Sequence, residues 1–496
     1  MFKQSLTAAT WVGLALLTTS CANLPPQGPP LHTTSAGARA CVNWYDALDS
    51  AVQQAGVADA GAHRVAGFPY LRVDRLSASF AAALDAAQPD ARFADWSERL
   101  RQRDLEGRSV EIRNLPPATR AALGEPDADR AVSRTDTCSR VLLADDLAMP
   151  ARRAALLQRA DVPDDYSPWM RYSGIYAVAR WPFALGVAGW QRDAHEMFRR
   201  AASGAAPAAP LRWFVPSVLG ADADTVQATM RALPRDSLGI PRPDAAQLAL
   251  LFDANAPTFA VETSGPHDRP GRVRFGSGGQ PEVDAAEPVV YRRVAHTRLA
   301  GQTLLQLVYT IWFPERPPDR ALDILAGPLD GVVLRVTLDE HGAPLVWDTI
   351  HPCGCYHMFL PTARLADRPA TAVGEEWLLV PHRLERPPAA TRPVVRIAAR
   401  SHHLVALDPS PAAGVAVREP VAYRLLDEDS LRTLAWPAGG TRSLYGPDGL
   451  VQGSERLERL LLWPMGVASA GTMRQWGRHP TAFLGRRHFD DAHLLD

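Results

Sequence analysis

Apolar residues in the first part of the chain recur with the period of an α-helix. Trp44, Leu48 and Val52 form one such series, and similar series continue to about residue 205. Positions three or four residues apart lie on one face of a helix, so each series predicts a helix with one apolar face. Proline residues between the series mark helix boundaries. The pattern therefore predicts an α-helical domain over residues 41–205.

After an Ala- and Pro-rich linker at residues 202–210, the chain changes to the two-residue alternation of β-strands. Residues 331–338 and 344–350 are two β-branched runs on either side of a turn that contains Gly342. This arrangement predicts a β-hairpin. We expect a mainly antiparallel β-rich domain over residues 211–430.

The last segment, residues 431–496, resumes helical periodicity briefly and then becomes polar. We expect a short helical and irregular C-terminal tail there. The fold class predicted for the whole chain is α+β, with an N-terminal helical domain, a β-rich domain and this tail. A chain of 496 residues exceeds the size of one hydrophobic core, which agrees with more than one domain.

Residues 169–190 form the most apolar window of the chain. The window is long enough for a membrane-spanning helix, but Arg171, Arg180 and Pro182 argue against one. We favour a buried helix pair broken at Pro182, because long apolar runs usually pack in a core. The alternative is contact with the headgroup region of a membrane, where Trp rings and snorkelling Arg side chains are favourable.

The overall composition excludes one class of partner. Apolar residues make up 46% and charged residues 22% of the chain, which is typical of a soluble globular protein. The formal net charge is only −1, so no excess of positive charge attracts a polyanion. We therefore expect no nucleic-acid partner.

The first twenty residues have the pattern of a targeting segment. Lys3 provides a positive start, residues 11–17 a short apolar core, and residues 18–20 a run of small polar side chains directly before Cys21. The segment resembles a bacterial lipoprotein signal peptide, although Thr18 stands where such signals usually carry Leu. The alternative is an ordinary signal peptide that is cleaved nearby. Either interpretation places the mature chain outside the cytoplasm.

The resemblance implies a lipid on Cys21, which anchors the protein to a membrane without a spanning helix. Ala22 is not the Asp that retains many lipoproteins at the inner membrane, so the resemblance implies a periplasm-facing outer-membrane lipoprotein of the cell envelope. Residues 21–40 contain a Pro-rich run that predicts a tether between the anchor and the folded part.

Four cysteines remain once Cys21 is set aside, and an even number in an oxidising compartment favours disulfides. Four cysteines allow three pairings. We favour Cys41 with Cys138 and Cys353 with Cys355, because the second pair is separated by a single glycine.

The segment from His351 to His357 gathers more reactive side chains than any other window of the same length. On a straight strand its outer histidines are about 20 Å apart, too far to bind one metal ion, so the chain must turn at Gly354. An inert Cys353–Cys355 disulfide is the simplest interpretation. The alternatives are a zinc or copper site formed by His351, Cys353, Cys355 and His357, a redox-active dithiol, and free thiols without a role.

Other polar groups are weaker candidates. His402 and His403 precede a predicted strand, where ordinary packing explains them. A second group near the C-terminus can bind a metal or supply acid–base pairs, but a solvated tail is the simpler interpretation; its members are His479, His488, Asp490, Asp491 and His493. The acidic residues around the predicted hairpin include Asp330 and Asp348, and nothing in the sequence selects a catalytic pair among them.

Known catalytic and nucleotide-binding motifs are absent from the sequence. It contains no G-x-S-x-G elbow, no H-E-x-x-H pair, no phosphate-binding glycine loop and no C-x-x-C-H haem signature. We assign no catalytic residue and do not expect an enzyme. The favoured hypothesis is an envelope lipoprotein that binds or assembles with a protein partner; the alternative is a metal-binding or thiol-redox protein centred on residues 351–357.

Overall fold

A computed structural model describes residues 31–365, 376–385, 389–390, 392–408 and 419–496 of the chain. Helices occupy the N-terminal part and a ten-stranded, mostly antiparallel sheet lies in the middle. The α+β fold class predicted from the sequence is therefore confirmed. The signal segment, Cys21 and most of the predicted tether lie outside the described residues.

Polar side chains cap several helices of the N-terminal part. The Asp90 carboxylate accepts a hydrogen bond from the Phe93 amide, and the Asp127 carboxylate accepts one from the Arg130 amide. Pro117 begins one helix in the position where its missing N–H has no cost. The helices are α1 (Ala36–Ala55), α2 (Arg75–Ala78), α3 (Ala91–Asn114), α4 (Pro117–Ala122), α5 (Ala128–Asp146), α6 (Pro150–Arg159), α7 (Pro168–Ser173) and α8 (Tyr176–Ala202).

A short antiparallel hairpin interrupts the helices, and the sequence pattern did not predict it. Strands β1 (His63–Val65) and β2 (Phe68–Val73) are joined by a tight turn with Gly67 at a φ of 79°. Phe68, Tyr70 and Leu71 on β2 are completely buried. The hairpin forms because these residues complete the core between α1, α3 and α5.

A disulfide joins α1 to α5 within this core. Cys41 and Cys138 are bonded, and their Cα atoms lie 5.0 Å apart. This pairing was predicted and is confirmed. Because the bond closes 97 residues of sequence, loop entropy makes it worth about 4–5 kcal/mol. The bond fixes the start of the folded chain to the body.

A group of completely buried ion pairs ties the hairpin to α3. The Arg72 guanidinium on β2 bonds Asp104 at 3.1 Å and Glu111 at 2.7 Å. Arg108 lies beside the same two carboxylates, at 3.4 Å and 3.3 Å. Gly107 faces Arg72 so closely that any Cβ would overlap the guanidinium. Buried charges persist only where such pairing is complete.

The middle of the chain forms one mixed sheet in the order β11-β10-β9-β8-β7-β14-β3-β4-β12-β13. Neighbours are antiparallel except at β7–β14, β14–β3 and β4–β12. The strands are β3 (Leu211–Pro216), β4 (Thr258–Glu262), β7 (Val289–Leu299), β8 (Gln302–Arg316), β9 (Gly327–Leu338), β10 (Pro344–Ile350), β11 (Met358–Pro361), β12 (Val394–Ile397), β13 (Leu404–Asp408) and β14 (Val421–Asp427). Smaller elements are β5 (Arg272–Phe275), β6 (Pro281–Asp284), β15 (Leu434–Ala435), β16 (Thr441–Arg442), α9 (Ala223–Ala232), α10 (Ala245–Asn255) and α11 (Arg459–Leu462).

The predicted hairpin is confirmed as β9–β10. Leu338 pairs with Pro344, and Gly342 adopts a φ of 80° in the turn. The Asp339 carboxylate accepts hydrogen bonds from the amides of His341 and Ala343, each at 2.9 Å. Strands β8, β9 and β10 are buried on both faces almost throughout, because other segments of the chain cover each side of the sheet.

The C-terminal tail covers one face of the sheet. The expectation of a solvated tail is therefore wrong. Phe489 is buried against Val308 and Val333 of the sheet. Arg335 on β9 lies 3.8 Å from the centre of the Phe489 ring and donates to its backbone carbonyl. His488 and His479 are buried as well. The tail is mostly polar, so its composition did not indicate that a few apolar side chains anchor it.

Candidate functional site

Residues 351–357 form the connection between β10 and β11. The His351 amide donates to the Cys355 carbonyl, and the Gly354 amide donates to the His351 carbonyl. Gly354 has a φ of 91°, and a Cβ there would lie 2.5 Å from the Pro480 carbonyl oxygen. The chain therefore turns at this glycine, as predicted.

The turn does not bring the four predicted metal ligands together. His351 bonds Asp330 at 3.1 Å, whereas His357 bonds Asp348 at 3.1 Å. Asp348 pairs with Arg335, five residues from Asp330 on β9, so the two carboxylates lie on opposite faces of the sheet. In the ranges that the structure describes, no three His, Cys, Asp or Glu side chains are placed to hold one metal ion. The zinc or copper site predicted from His351, Cys353, Cys355 and His357 is not assembled.

The two cysteines of this turn are free thiols, so the predicted Cys353–Cys355 disulfide is not present. Cys353 is buried among apolar side chains that include Trp312 and Leu329. A hydrogen bond with Cys353, together with burial, raises the pKa of the Cys355 thiol well above its ordinary value. A thiol must ionise to attack a disulfide or bind a metal, so this environment opposes redox and metal chemistry.

A chain of buried hydrogen bonds, which we call the Asp–His network, lies behind the turn. It consists of Asp268, His402, Asp330 and His351. His402 Nδ1 is 2.8 Å from Asp330, and its Nε2 is 3.3 Å from Asp268. The Phe313 ring stacks on the imidazole with centres 3.9 Å apart. Each acid and base of the network is thereby held in one orientation.

The charges of the network follow from its pairing. Burial opposes the cationic form of His402, but hydrogen bonds to Asp268 and Asp330 outweigh it and raise the pKa of His402. Burial by itself raises the pKa of Asp330, but His351 and His402 outweigh this effect and hold the pKa well below its usual range. Burial lowers the pKa of His351, although its hydrogen bond to Asp330 opposes the shift. The network is thus a buried imidazolium between two carboxylates.

Sequence reasoning located this network only in part. The sequence predicts ordinary packing for His402. It gives Asp330 as one of several acidic residues around the hairpin and does not connect the two. Asp268 was missed, because it lies on a short helical turn far from both partners in sequence. The backbone amides of Ser264 and Arg400 donate to it at 2.7 Å and 2.6 Å. No local pattern of residues encodes contacts between such distant segments.

The second candidate is an exposed apolar surface on α7, α8 and α11. Its α7–α8 part is a stripe of residues three or four positions apart, and α11 with the turn that follows adds a second group. Both α7 and α8 contact that turn. We call this the aromatic surface and define it as Trp169, Tyr172, Ile175, Val178, Trp181, Leu185, Leu457, Leu460, Leu461 and Trp463.

The exposure of this surface is unusually large. Trp169, Tyr172 and Trp181 are 70%, 79% and 61% exposed. With about 150–250 Å² for a whole aromatic side chain, these three alone present roughly 300–500 Å². That is already within the range of the largest apolar patch of a typical monomer, about 300–600 Å², before the other seven residues are added. The prediction that residues 169–190 pack in the core is therefore wrong for most of the window.

The aromatic surface is held firmly from beneath. Arg171 does not reach outward but donates to the carbonyls of Met465 and Gly485, at 2.8 Å and 2.6 Å. Gly174 packs directly on Pro464, where a Cβ would lie 2.6 Å from the proline ring. The apolar side chains are therefore displayed by a fixed framework. Within the described ranges, no helix is long and apolar enough to cross a bilayer.

Glu458 lies under this surface at the start of α11. It is buried, and Gly471 abuts its carboxylate. Burial raises the pKa of Glu458 to about 7, although Arg316 and Arg456 oppose the shift. A carboxyl group in this state carries a proton near neutral pH.

A cavity of about 450 Å³ lies between α2, residues 376–378 and the C-terminal tail. Its volume is in the range of small-molecule sites. Its arginines are occupied by protein carboxylates, however: Arg75 bonds Asp165 and Asp490, and Arg487 lies beside Glu376. Arg486 likewise bonds Asp164 at 2.7 Å, so each arginine that lines the cavity is paired with a protein carboxylate.

Comparison of the chain with protein-family models, with curated proteins and with solved structures found no match.

Proposed function

We propose that the protein is a cell-envelope lipoprotein, anchored through Cys21 and facing the periplasm, that acts as a binding component and not as an enzyme. The observation that carries this proposal is the aromatic surface. Large exposed apolar patches mark sites where a protein meets a partner or a membrane. An outer-membrane location and a protein partner in the envelope belong to the same proposal.

The state of the reactive residues supports a binding role. His351, His402 and Asp330 are buried and committed to one another. Cys353 is buried, and the raised pKa of the half-buried Cys355 keeps that thiol protonated. A catalytic group must reach its substrate within hydrogen-bond distance. These groups instead bond one another and join the sheet to neighbouring segments.

The disulfide between Cys41 and Cys138 supports the proposed compartment. Structural disulfides persist in the oxidising envelope and are rare in the cytoplasm. The pairing leaves Cys21 as the cysteine next to the apolar signal core, where a lipid is attached in proteins with this kind of signal.

Metabolic labelling with an alkyne fatty acid in a Gram-negative host tests the anchor. We expect the parent chain to incorporate the label and to sediment with membranes, and the Cys21→Ser variant to lose the label. A matched Cys353→Ser variant should keep it. An unlabelled mature chain that begins at another residue would refute the lipoprotein and favour an ordinary cleaved signal peptide.

A further inference from the structure

We infer that the aromatic surface docks on a lipid bilayer with anionic headgroups, and that the folded body lies against the membrane that carries its anchor. This inference rests on the proposed function and names the partner of its binding surface. It differs from anchoring alone, because a lipid on Cys21 needs no contact between the body and the bilayer.

The side chains of the surface are those that favour the boundary between water and lipid. Trp169, Tyr172, Trp181 and Trp463 combine an apolar ring with a polar N–H or O–H group. Such rings concentrate at headgroup depth in membrane proteins. Trp169 and Tyr172 already stack, with ring centres 6.1 Å apart, so they present one continuous face.

The accessible charges within the two stretches that form the surface are complementary to an anionic leaflet. Residues 167–190 contain Arg171 and Arg180 as their only charged side chains. Arg180 lies 5.2 Å from the Trp181 ring, at the same level as the exposed aromatics. In residues 457–463, Glu458 is buried and Arg459 is exposed. The half-buried Arg180 and the exposed Arg459 are therefore the charges that these two stretches offer to a bilayer, and both are positive, which attracts anionic headgroups.

The anchor keeps the folded body near lipid. The described chain begins at Leu31, and the amides of His32 and Thr34 bond Asp146 and Asp145 at the end of α5. Leu31 is the tenth residue after Cys21, and a chain of that length spans at most about 36 Å. A body restrained so closely meets the bilayer at high effective concentration, so even a modest surface affinity produces docking.

The framework under the surface favours a flat, rigid contact over a helix that inserts. Arg171 and Gly174 fix α7 against the turn after α11. Pro182 interrupts the backbone hydrogen bonds of α8 between Trp181 and Leu185 of the stripe. The stripe therefore lies along the bilayer plane, with its apolar side chains at the depth of the headgroups.

Vesicle sedimentation of the full mature chain with Cys21→Ser tests the inference without any acyl chain. The vesicles contain phosphatidylethanolamine with phosphatidylglycerol, and pure phosphatidylcholine vesicles serve as the comparison. We expect binding to the anionic vesicles that weakens at least tenfold in a Trp169→Ser, Trp181→Ser double variant. Trp377→Ser is the matched control, because Trp377 is 60% exposed but lies outside the aromatic surface.

Arg180→Gln tests the charge separately. It should weaken binding to anionic vesicles several-fold and leave binding to phosphatidylcholine unchanged. The double variant alters exposed side chains and Arg180 is half-buried, and equal thermal unfolding midpoints confirm that both variants remain folded. Analytical ultracentrifugation of the same samples detects a second copy of the chain as the alternative occupant.

Two results would overturn the docking. One is sedimentation with vesicles that the double Trp variant does not change. The other is absence of vesicle binding, whether the chain is a monomer or a dimer that the double variant dissociates. These outcomes are independent of the anchor: a chain labelled at Cys21 that ignores vesicles keeps the proposed lipoprotein and loses the docking. A chain that binds vesicles but is not labelled keeps the docking and loses the proposed lipoprotein.

Discussion

Replacement of Glu458 by Gln should stabilise the protein above neutral pH. The buried carboxyl has a pKa of about 7 in the folded chain, against an ordinary value of 4.5. A carboxyl whose pKa is raised on folding contributes its full stability below pH 4.5 and loses it as the pH rises through about 7. Each pKa unit corresponds to about 1.36 kcal/mol, so ionised Glu458 costs about 3 kcal/mol at alkaline pH.

Glutamine keeps the shape of the protonated acid and cannot ionise, so the substitution removes this cost. We expect the free energy of unfolding of the variant to exceed that of the parent by about 3 kcal/mol above pH 8 and to match it near pH 4. Urea unfolding followed by circular dichroism across this range measures the difference. Glu455→Gln is the matched control, because Glu455 is exposed nearby and its replacement should change stability by less than about 0.5 kcal/mol.

One result would refute this reasoning. If Glu458→Gln is equally or less stable than the parent at pH 8, the carboxylate is ionised and well paired in the folded protein. The framework under the aromatic surface would then depend on a Glu458 charge that the structure does not pair.

Two further substitutions, at Asp330 and Gly107, test the buried polar groups, and a third at Gly186 serves as a comparison. Asp330→Asn should cost about 3–5 kcal/mol in urea unfolding, because it leaves the buried His402 cation with one carboxylate; a loss below about 1 kcal/mol would contradict the network. Because the pKa of Asp330 is depressed, its contribution is present above pH 3.8 and lost on acidification, so the variant should show a flatter acid profile. Gly107→Ala should destabilise by about 1–3 kcal/mol through overlap with Arg72, whereas Gly186→Ala, in open space on α8, should stabilise by up to about 1 kcal/mol; thermal unfolding compares them.

The sequence predicted those parts of the fold whose signals are local. The β9–β10 hairpin followed from two β-branched runs around Gly342, and the turn at Gly354 followed from the reach of a strand. The Cys41–Cys138 disulfide followed from the number of cysteines and the expected compartment. Each of these depends on residues close in sequence or on a simple count.

The parts that were missed depend on distant segments. The Asp–His network joins Asp268, Asp330 and His402, which come from three separate regions of the chain. The C-terminal tail is buried by Phe489 and a few neighbours that a polar composition conceals. Hydrophobic pattern alone could not separate a buried helix from the exposed stripe of α8, because both are apolar at helical spacing.

Radical footprinting of the lipidated protein tests the account most directly. Hydroxyl radicals oxidise exposed tryptophans, so the protein in anionic bilayers is compared with its soluble Cys21→Ser form. We predict strong protection of Trp169 and Trp181 in the bilayer sample and unchanged oxidation of Trp377. If each of the three residues is oxidised to the same extent in the bilayer sample as in the soluble sample, the folded body does not contact the membrane. That result would contradict the account.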